Sequence, residues 1–187
     1  MNLKRSAAVA AIIALGAIPI LTSSCHKDHN NPPATMTFYD TLGGTATVND
    51  PAHPGTMIEK GRLGLRTVVD SAIFIIAGDK EINGYFTVLL SEVGQGNLSG
   101  FQALSKNLTD FLCVATGAKD FSYTGKNMTD AHNPAANSRI SMKVAADDFD
   151  QFVVDVAASA KKNGLTDAMI ARVGALLNSL KTTVVQQ

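Results

Sequence analysis

Residues 123–134 read Tyr123-Thr124-Gly125-Lys126-Asn127-Met128-Thr129-Asp130-Ala131-His132-Asn133-Pro134. The stretch carries one histidine on what reads as a single helical turn. That turn must stop by about Asn133, because Pro134 disfavours helical backbone in the residue before it. Periodicity is weak from Gly125 to Val144, so a short histidine-bearing helix with a long, loosely ordered continuation is expected there. The flanks on both sides are strongly helical. A helix is expected from about Ser99 to Thr116, with Phe101, Leu104, Leu108, Phe111, Leu112 and Ala115 on one face and Gly117 as its stop.

Working outward, the segment from about Asp147 to Lys162 aligns Phe149, Phe152, Val153 and Val156 on one side and ends at Gly164. In the last segment Met169, Ile170, Val173, Leu176, Leu177, Leu180 and Val184 recur at helical spacing. Thr166 is its N-cap, and Leu165 and Ile170 are placed as a hydrophobic staple across it. Upstream, Thr56 and Glu59 have the spacing of a capping box, which predicts a helix from Thr56 through Leu63, Leu65, Val68, Val69, Ala72, Ile73 and Ile76 to about Gly78. A short turn with Ile82, Tyr85 and Phe86 follows, then the glycine-rich loop Gly94 to Gly100. No stretch reads as a strand ladder and no internal repeat is present. The fold class is all-α.

The N-terminus belongs to a different regime. Lys4 and Arg5 precede an apolar run, Ala7 to Leu21, then Thr22, Ser23, Ser24 and Cys25. Charged, apolar and small residues in that order make a bacterial export signal. The run is shorter than the roughly 20 residues a spanning helix needs. Cys25 directly after the small residues resembles a lipobox, which assigns residues 1–24 to a lipoprotein-type signal peptide and Cys25 to lipidation. Leu21 sits one place earlier than the usual lipobox leucine, so an ordinary secretory signal or an uncleaved anchor stays open. Residues 25–36 are polar with two prolines and read as a tether, in which His26 and His29 are flexible surface histidines. The domain is then 37–187, a size that suits one core. Such a chain is an exported lipoprotein on the periplasmic side of a membrane or at the cell surface, with the membrane as a partner through its lipid.

Lysine plus arginine and aspartate plus glutamate each number 16. With no basic stripe and no aromatic platform, nucleic acid is excluded as a partner. There are two cysteines. With Cys25 acylated, Cys113 stands alone, no disulfide framework exists, and Cys113 reads as a small buried hydrophobe.

Several amphipathic helices and one short histidine-bearing turn suit a cofactor held between helices. Haem needs one strong axial ligand, usually imidazole, and an apolar slot. His26 and His29 are in the tether and His53 is in a proline-flanked loop (Pro51-Ala52-His53-Pro54-Gly55), so His132 is the one histidine on a helical turn of the folded part. On these grounds alone the signal is weak, because a lone histidine in an all-α domain is more often a capping or surface residue.

The motif as a whole says more. Tyr123-Thr124-Gly125, then Met128, then His132 closely resembles the proximal motif of the group I truncated haemoglobins. Tyr39-Asp40-Thr41-Leu42-Gly43-Gly44 resembles their N-terminal signature, a short helix ended by a glycine pair. Val68-Val69-Asp70 and Tyr85-Phe86 resemble the second helix and the aromatic pair after it. Leu104 to Gly117 resembles the distal helix, and Asp148-Phe149-Asp150 with the C-terminal helix completes the order. The resemblance covers most of residues 37–187. It implies a two-over-two helical sandwich around haem b, with His132 as the iron ligand. Phe86 would pack on the porphyrin, and Leu104, Leu108, Phe111 and Leu112 would line the distal side. Met128 would touch the proximal side, with Phe149 and Phe152 as further pocket residues. A diatomic gas (oxygen, NO or CO) would be the ligand.

The chain departs from that pattern in four places. Extra residues lie near Thr45 to Gly61, between Phe86 and Leu104, and after His132. The fourth departure is chemical: where the family commonly carries a distal tyrosine and glutamine, this chain aligns Ile73 and Leu108. A hydrogen bond to a charged partner contributes about 1.5–3 kcal/mol. Its loss implies oxygen released about tenfold to 150-fold faster, an apolar distal pocket, relatively favoured CO or NO, and a pentacoordinate ferrous iron. Tyr85, Asn107 and Thr109 are the candidate replacement donors, and His53 the candidate sixth ligand. The leading reading is therefore a gas-binding module, not an enzyme. NO dioxygenation or peroxidase-like chemistry, which needs an electron donor, is the runner-up, and a haem-free scaffold lipoprotein the third reading.

Overall fold

The computed structural model describes residues 35–187. The expected signal peptide, Cys25 and all of the tether except Thr35 and Met36 lie outside the described residues. In chain order the elements are α1 (Phe38–Thr41), β1 (Thr47–Asn49), β2 (Met57–Glu59), α2 (Lys60–Gly78), a 3-10 turn (Asn83–Phe86), α3 (Thr87–Gly94), α4 (Ser99–Ala115), α5 (Met128–His132), α6 (Ala146–Lys162), α7 (Asp167–Asn178) and α8 (Lys181–Val184).

The short α1 exists because its entry is capped twice. Thr37 Oγ1 accepts from Asp40 N (3.1 Å) and Asp40 Oδ2 accepts from Thr37 N (2.8 Å), a reciprocal capping box. Gly43 and Gly44 end it at φ +112° and +53°. At Gly43 a Cβ would lie 2.6 Å from Lys60 Cβ, so the glycine also lets α1 approach the start of α2.

The helix expected from Thr56 begins instead at Lys60, and the capping box at Thr56 and Glu59 does not form. Thr47–Asn49 and Met57–Glu59 pair as an antiparallel hairpin, with Val48 opposite Ile58. Thr56 Oγ1 donates to His53 O (2.7 Å), and Glu59 takes the Tyr39 hydroxyl (2.6 Å) in place of a helix amide. The residues near Thr45 to Gly61 are therefore a folded-back ribbon. Asp50 binds it to α2, receiving both Arg66 Nη1 (3.0 Å) and Arg66 Nη2 (2.5 Å). That bidentate pair holds the Asp50 carboxyl well below the ordinary carboxylate range.

Two other expectations change. Residues 87–94 form α3, a two-turn helix between the aromatic pair and the glycine-rich loop. The continuous C-terminal helix breaks at Ser179 and Leu180 into α7 and α8. Other boundaries agree: α4 and α6 match the periodicity closely, Thr166 Oγ1 accepts from Met169 N, and Gly117 and Gly164 adopt φ +98° and +81° after their helices.

α2 is the centre of the fold. It buries Leu65, Val68, Val69, Ala72, Ile73 and Ile76, a stripe broad enough to pack on α4 and on α6 at once. α6 in turn packs on α7. Ser159 Oγ on α6 donates to Val68 O of α2 (2.6 Å), fixing that crossing. The result is two helix pairs stacked across α2 and α6, the two-over-two sandwich. No helix among the described residues is long and apolar enough to cross a membrane.

Candidate functional site

α5 is one turn long and is made by its ends. Asn127 Oδ1 accepts from Asp130 N (2.8 Å) at the N-terminus, and Asn133 leaves the helix at φ −94°, ψ 117°, the extended backbone Pro134 demands. His132 is the last helical residue and is half-buried. Its Nδ1 lies 2.8 Å from Met128 O. A carbonyl can only accept, so the proton is on Nδ1 and the Nε2 lone pair is left free. Nε2 has no hydrogen-bond partner among the described residues. A fixed tautomer with one unspent nitrogen is the state an imidazole needs to ligate a metal.

The surroundings of α5 are built for rigidity. Met128 packs into a cluster with Phe86, Phe149 and Val185. Gln186 Nε2 donates to Thr129 O (3.1 Å), and Gln186 N to Val144 O (3.0 Å), so α8 and the chain after it back the histidine turn. Ahead of α5, Tyr123 folds over Gly125 and donates to Lys126 O (2.6 Å). A Cβ at Gly125 would lie 2.5–2.7 Å from the tyrosine ring and hydroxyl, so only glycine fits under it. The same ring meets Phe111 of α4 edge-on, centroids 5.6 Å apart. Tyr123 thus links α4 to the entry of α5, a role no periodicity could reveal; the Tyr123-Thr124-Gly125 motif was its sequence signal.

α4 presents two faces. Ser105, Thr109, Leu112 and Cys113 are buried, the side on which α2 packs. Leu104, Leu108 and Phe111 are half-buried and pack with Ile73, Leu89 and Phe86. Phe86 is shared by this cluster and the Met128 cluster, so it joins α4 to α5. The structure thereby brings Met128, Phe86, Leu104, Leu108, Phe111 and Ile73 into two clusters joined at Phe86, and His132 adjoins them through its bond to Met128 O. Leu112 is the more deeply buried member of the same cluster. With Leu108, Leu65, Val68 and Phe152 it lines an apolar cavity of about 20 Å³ between α2, α4, α6 and α7, which His132 and Met128 do not reach.

The candidate distal donors resolve against that role. Tyr85 donates to Asp148 Oδ2 (2.5 Å) and Lys143 O (3.1 Å), a tie to the loop and start of α6. Asn107 is exposed, and Thr109 is fully buried on the other face of α4. Ile73, Leu104 and Leu108 leave the region without a hydrogen-bond donor among the residues named. His53 stays on the hairpin with Nδ1 on Asp50 Oδ2 (3.1 Å). Cys113 is buried beside Arg62, and burial pushes its thiol up to about 11, so it remains protonated.

This arrangement is the truncated-globin fold. Solved structures of truncated haemoglobin from Tetrahymena pyriformis match it: the Fe(III) form at 22% identity and TM-score 0.57, covering 81% of this chain and 99% of that one, and two point mutants, also Fe(III), with the same identity and coverage at TM-scores of 0.57 and 0.55. No family model matches the chain, and no curated protein matches it.

Proposed function

We propose that this chain is a haem protein that reversibly binds a diatomic gas, with His132 as the axial iron ligand. The observation that carries the reading is the His132 imidazole. Its Nδ1 proton is held by Met128 O at 2.8 Å, its Nε2 is free, and it stands on a rigid turn within a truncated-globin fold. The donor set fits the group: one imidazole with Nε2 unpartnered, with Phe86, Met128, Leu104, Leu108 and Phe111 as apolar walls. Bound haem iron supplies an open coordination position for the gas.

The protein's own residues set the rest. Met128 O fixes the tautomer, and a hydrogen-bonded Nδ1 raises the basicity of Nε2. Gln186 and Tyr123 hold the turn that carries it. Ile73 and Leu108 exclude water from the distal side and offer no hydrogen bond to an oxygen ligand, which favours fast release. Cys113, the one described cysteine, is buried between α2 and α4, which supports a porphyrin held without a thioether, as haem b. The lipobox-like segment ending at Cys25 supports an exported, membrane-tethered location, and an external electron donor is needed to keep the iron ferrous there. Titration of the apoprotein with haem tests the reading. Saturation at one haem per chain is expected, with the binding lost in His132→Ala; unchanged titration in that variant would remove His132 as ligand.

A further inference from the structure

Two of the segments that depart from the truncated-globin pattern meet each other. Glu92 is on α3, in the added stretch between Phe86 and Leu104. Arg139 is in the loop after His132. Arg139 Nη1 and Nη2 donate to Glu92 Oε1 (3.0 Å) and Oε2 (2.6 Å), a parallel two-bond pairing across 47 positions of sequence. The pair lies against Gly100, in the first turn of α4, so closely that a Cβ there would collide with both side chains. Gly100 therefore leaves room for the pair beside the start of the distal helix.

The loop that brings Arg139 to this place is pinned along its length. Asn137 Nδ2 donates to Ala131 O (2.7 Å), beside His132, and Lys126 Nζ to Ala136 O (3.2 Å). Further on, Met142 lies at Gly84, in the 3-10 turn that carries Phe86. The loop thus starts at the iron-ligand turn, crosses to the N-terminal corner of α4, and returns past Phe86. It spans the distance between the two helices that would hold the porphyrin.

We infer that Glu92 and Arg139 are positioning residues that clasp the loop after His132 to the first turn of α4, closing one edge of the haem slot and slowing haem loss. This rests on the haem reading above. In an unclasped loop the Phe86 and Tyr123 contacts still join α4 to α5. The Arg139 side chain is 46% exposed and that of Glu92 24%, so the effect is modest. An exposed but bidentate pair of this kind corresponds to about a two- to fivefold change in rate.

The test uses two readouts on the full chain. Haem transfer to excess apomyoglobin gives the loss rate, and hydrogen exchange on the apoprotein reports the loop and the first turn of α4 without any haem. Glu92→Gln and Arg139→Gln are expected to lose haem about two- to fivefold faster and to exchange faster at residues 134–142 and 99–103. The exchanged pair, Glu92→Arg with Arg139→Glu, is expected to restore both, and 1 M salt to narrow the difference. Loss rates equal to wild type in both single variants would overturn the clasp. If the wild type binds no haem, the functional reading and the retention role fall together, while the exchange data still show whether the pair ties the loop.

Discussion

Leu108→Gln puts a hydrogen-bond donor on the distal side without altering the backbone. Leu108 sits on the half-buried face of α4, one turn from Leu104 and one from Leu112, and packs in the cluster that contains Ile73 and Phe86. Glutamine is unbranched and of similar length, so its amide occupies much the same space. Of the candidate donors, Tyr85 is held by Asp148 and Lys143 O, Asn107 is exposed, and Thr109 is fully buried, on a different side of α4 from Leu108. The variant therefore adds one donor on the face of α4 that carries Leu104 and Leu108. One such bond to a partly charged oxygen contributes about 1.5–3 kcal/mol. Oxygen dissociation from the ferrous protein should slow about tenfold to 150-fold. CO carries less charge, so its off-rate should change far less. The cost is stability, on the order of 1 kcal/mol, since a half-buried leucine loses apolar burial. Stopped-flow displacement of oxygen by CO measures the rate directly. An unchanged oxygen off-rate in a folded, haem-loaded variant would refute the placement of Leu108, and a slow wild-type rate would refute the apolar distal side.

Gly61→Ala pits helix propensity against packing. Alanine is better in a helix by about 1 kcal/mol, but its Cβ would lie 2.7 Å from the ring of Tyr39, which is 1% exposed and bonded to Glu59. Overpacking of about 1–3 kcal/mol wins, and thermal unfolding should occur a few degrees lower, at roughly 2–4 °C per kcal/mol. Gly125→Ala should displace Tyr123 from Lys126 O and loosen α5, read as faster hydrogen exchange at Met128–His132 and weaker haem binding. Asp155→Asn should alter the pH profile of stability. Burial and the neighbouring Asp79 raise the Asp155 pKa, so its carboxyl keeps a proton that the unfolded chain gives up near the ordinary value of 3.8. Asp155 Oδ2 is buried and has no hydrogen-bond partner among the described residues. The folded state then binds more protons, and stability falls as pH rises from the unfolded pKa through the folded one. The asparagine donates without titrating, so denaturant midpoints should flatten with pH and rise at pH 8, by about the 1 kcal/mol of one buried hydrogen bond.

The long helices were legible because each repeats its apolar stripe over three or more turns. α4, α6 and the start of α7 follow directly from that period and from Thr166, Gly117 and Gly164. The hairpin was not legible. Its strands are only three residues long, too short for an alternation to stand out, and Thr56 and Glu59 happen to have capping-box spacing. α3 is too short for its period to stand out. α7 and α8 share one apolar period, with Leu180 and Val184 continuing the stripe, so the break at Ser179 left no mark. At the site, residue type alone made His132 one histidine among four, and the offsets of Tyr123, Gly125 and Met128 singled it out. The Met128 O bond that fixes its tautomer, and the Phe86 link between the two clusters, depend on contacts distant in sequence. The Glu92 and Arg139 pairing, across 47 residues, had no local signal at all.

The central claim is that the His132 imidazole, through Nε2, is the sole protein ligand of a bound haem iron. Resonance Raman of the ferrous, ligand-free protein addresses that bond directly. A five-coordinate high-spin spectrum with an iron–histidine stretching band is predicted, with the band lost in His132→Gly and recovered when imidazole is added to that variant. A six-coordinate low-spin ferrous spectrum, or an iron–histidine band that survives in His132→Gly without imidazole, would contradict it.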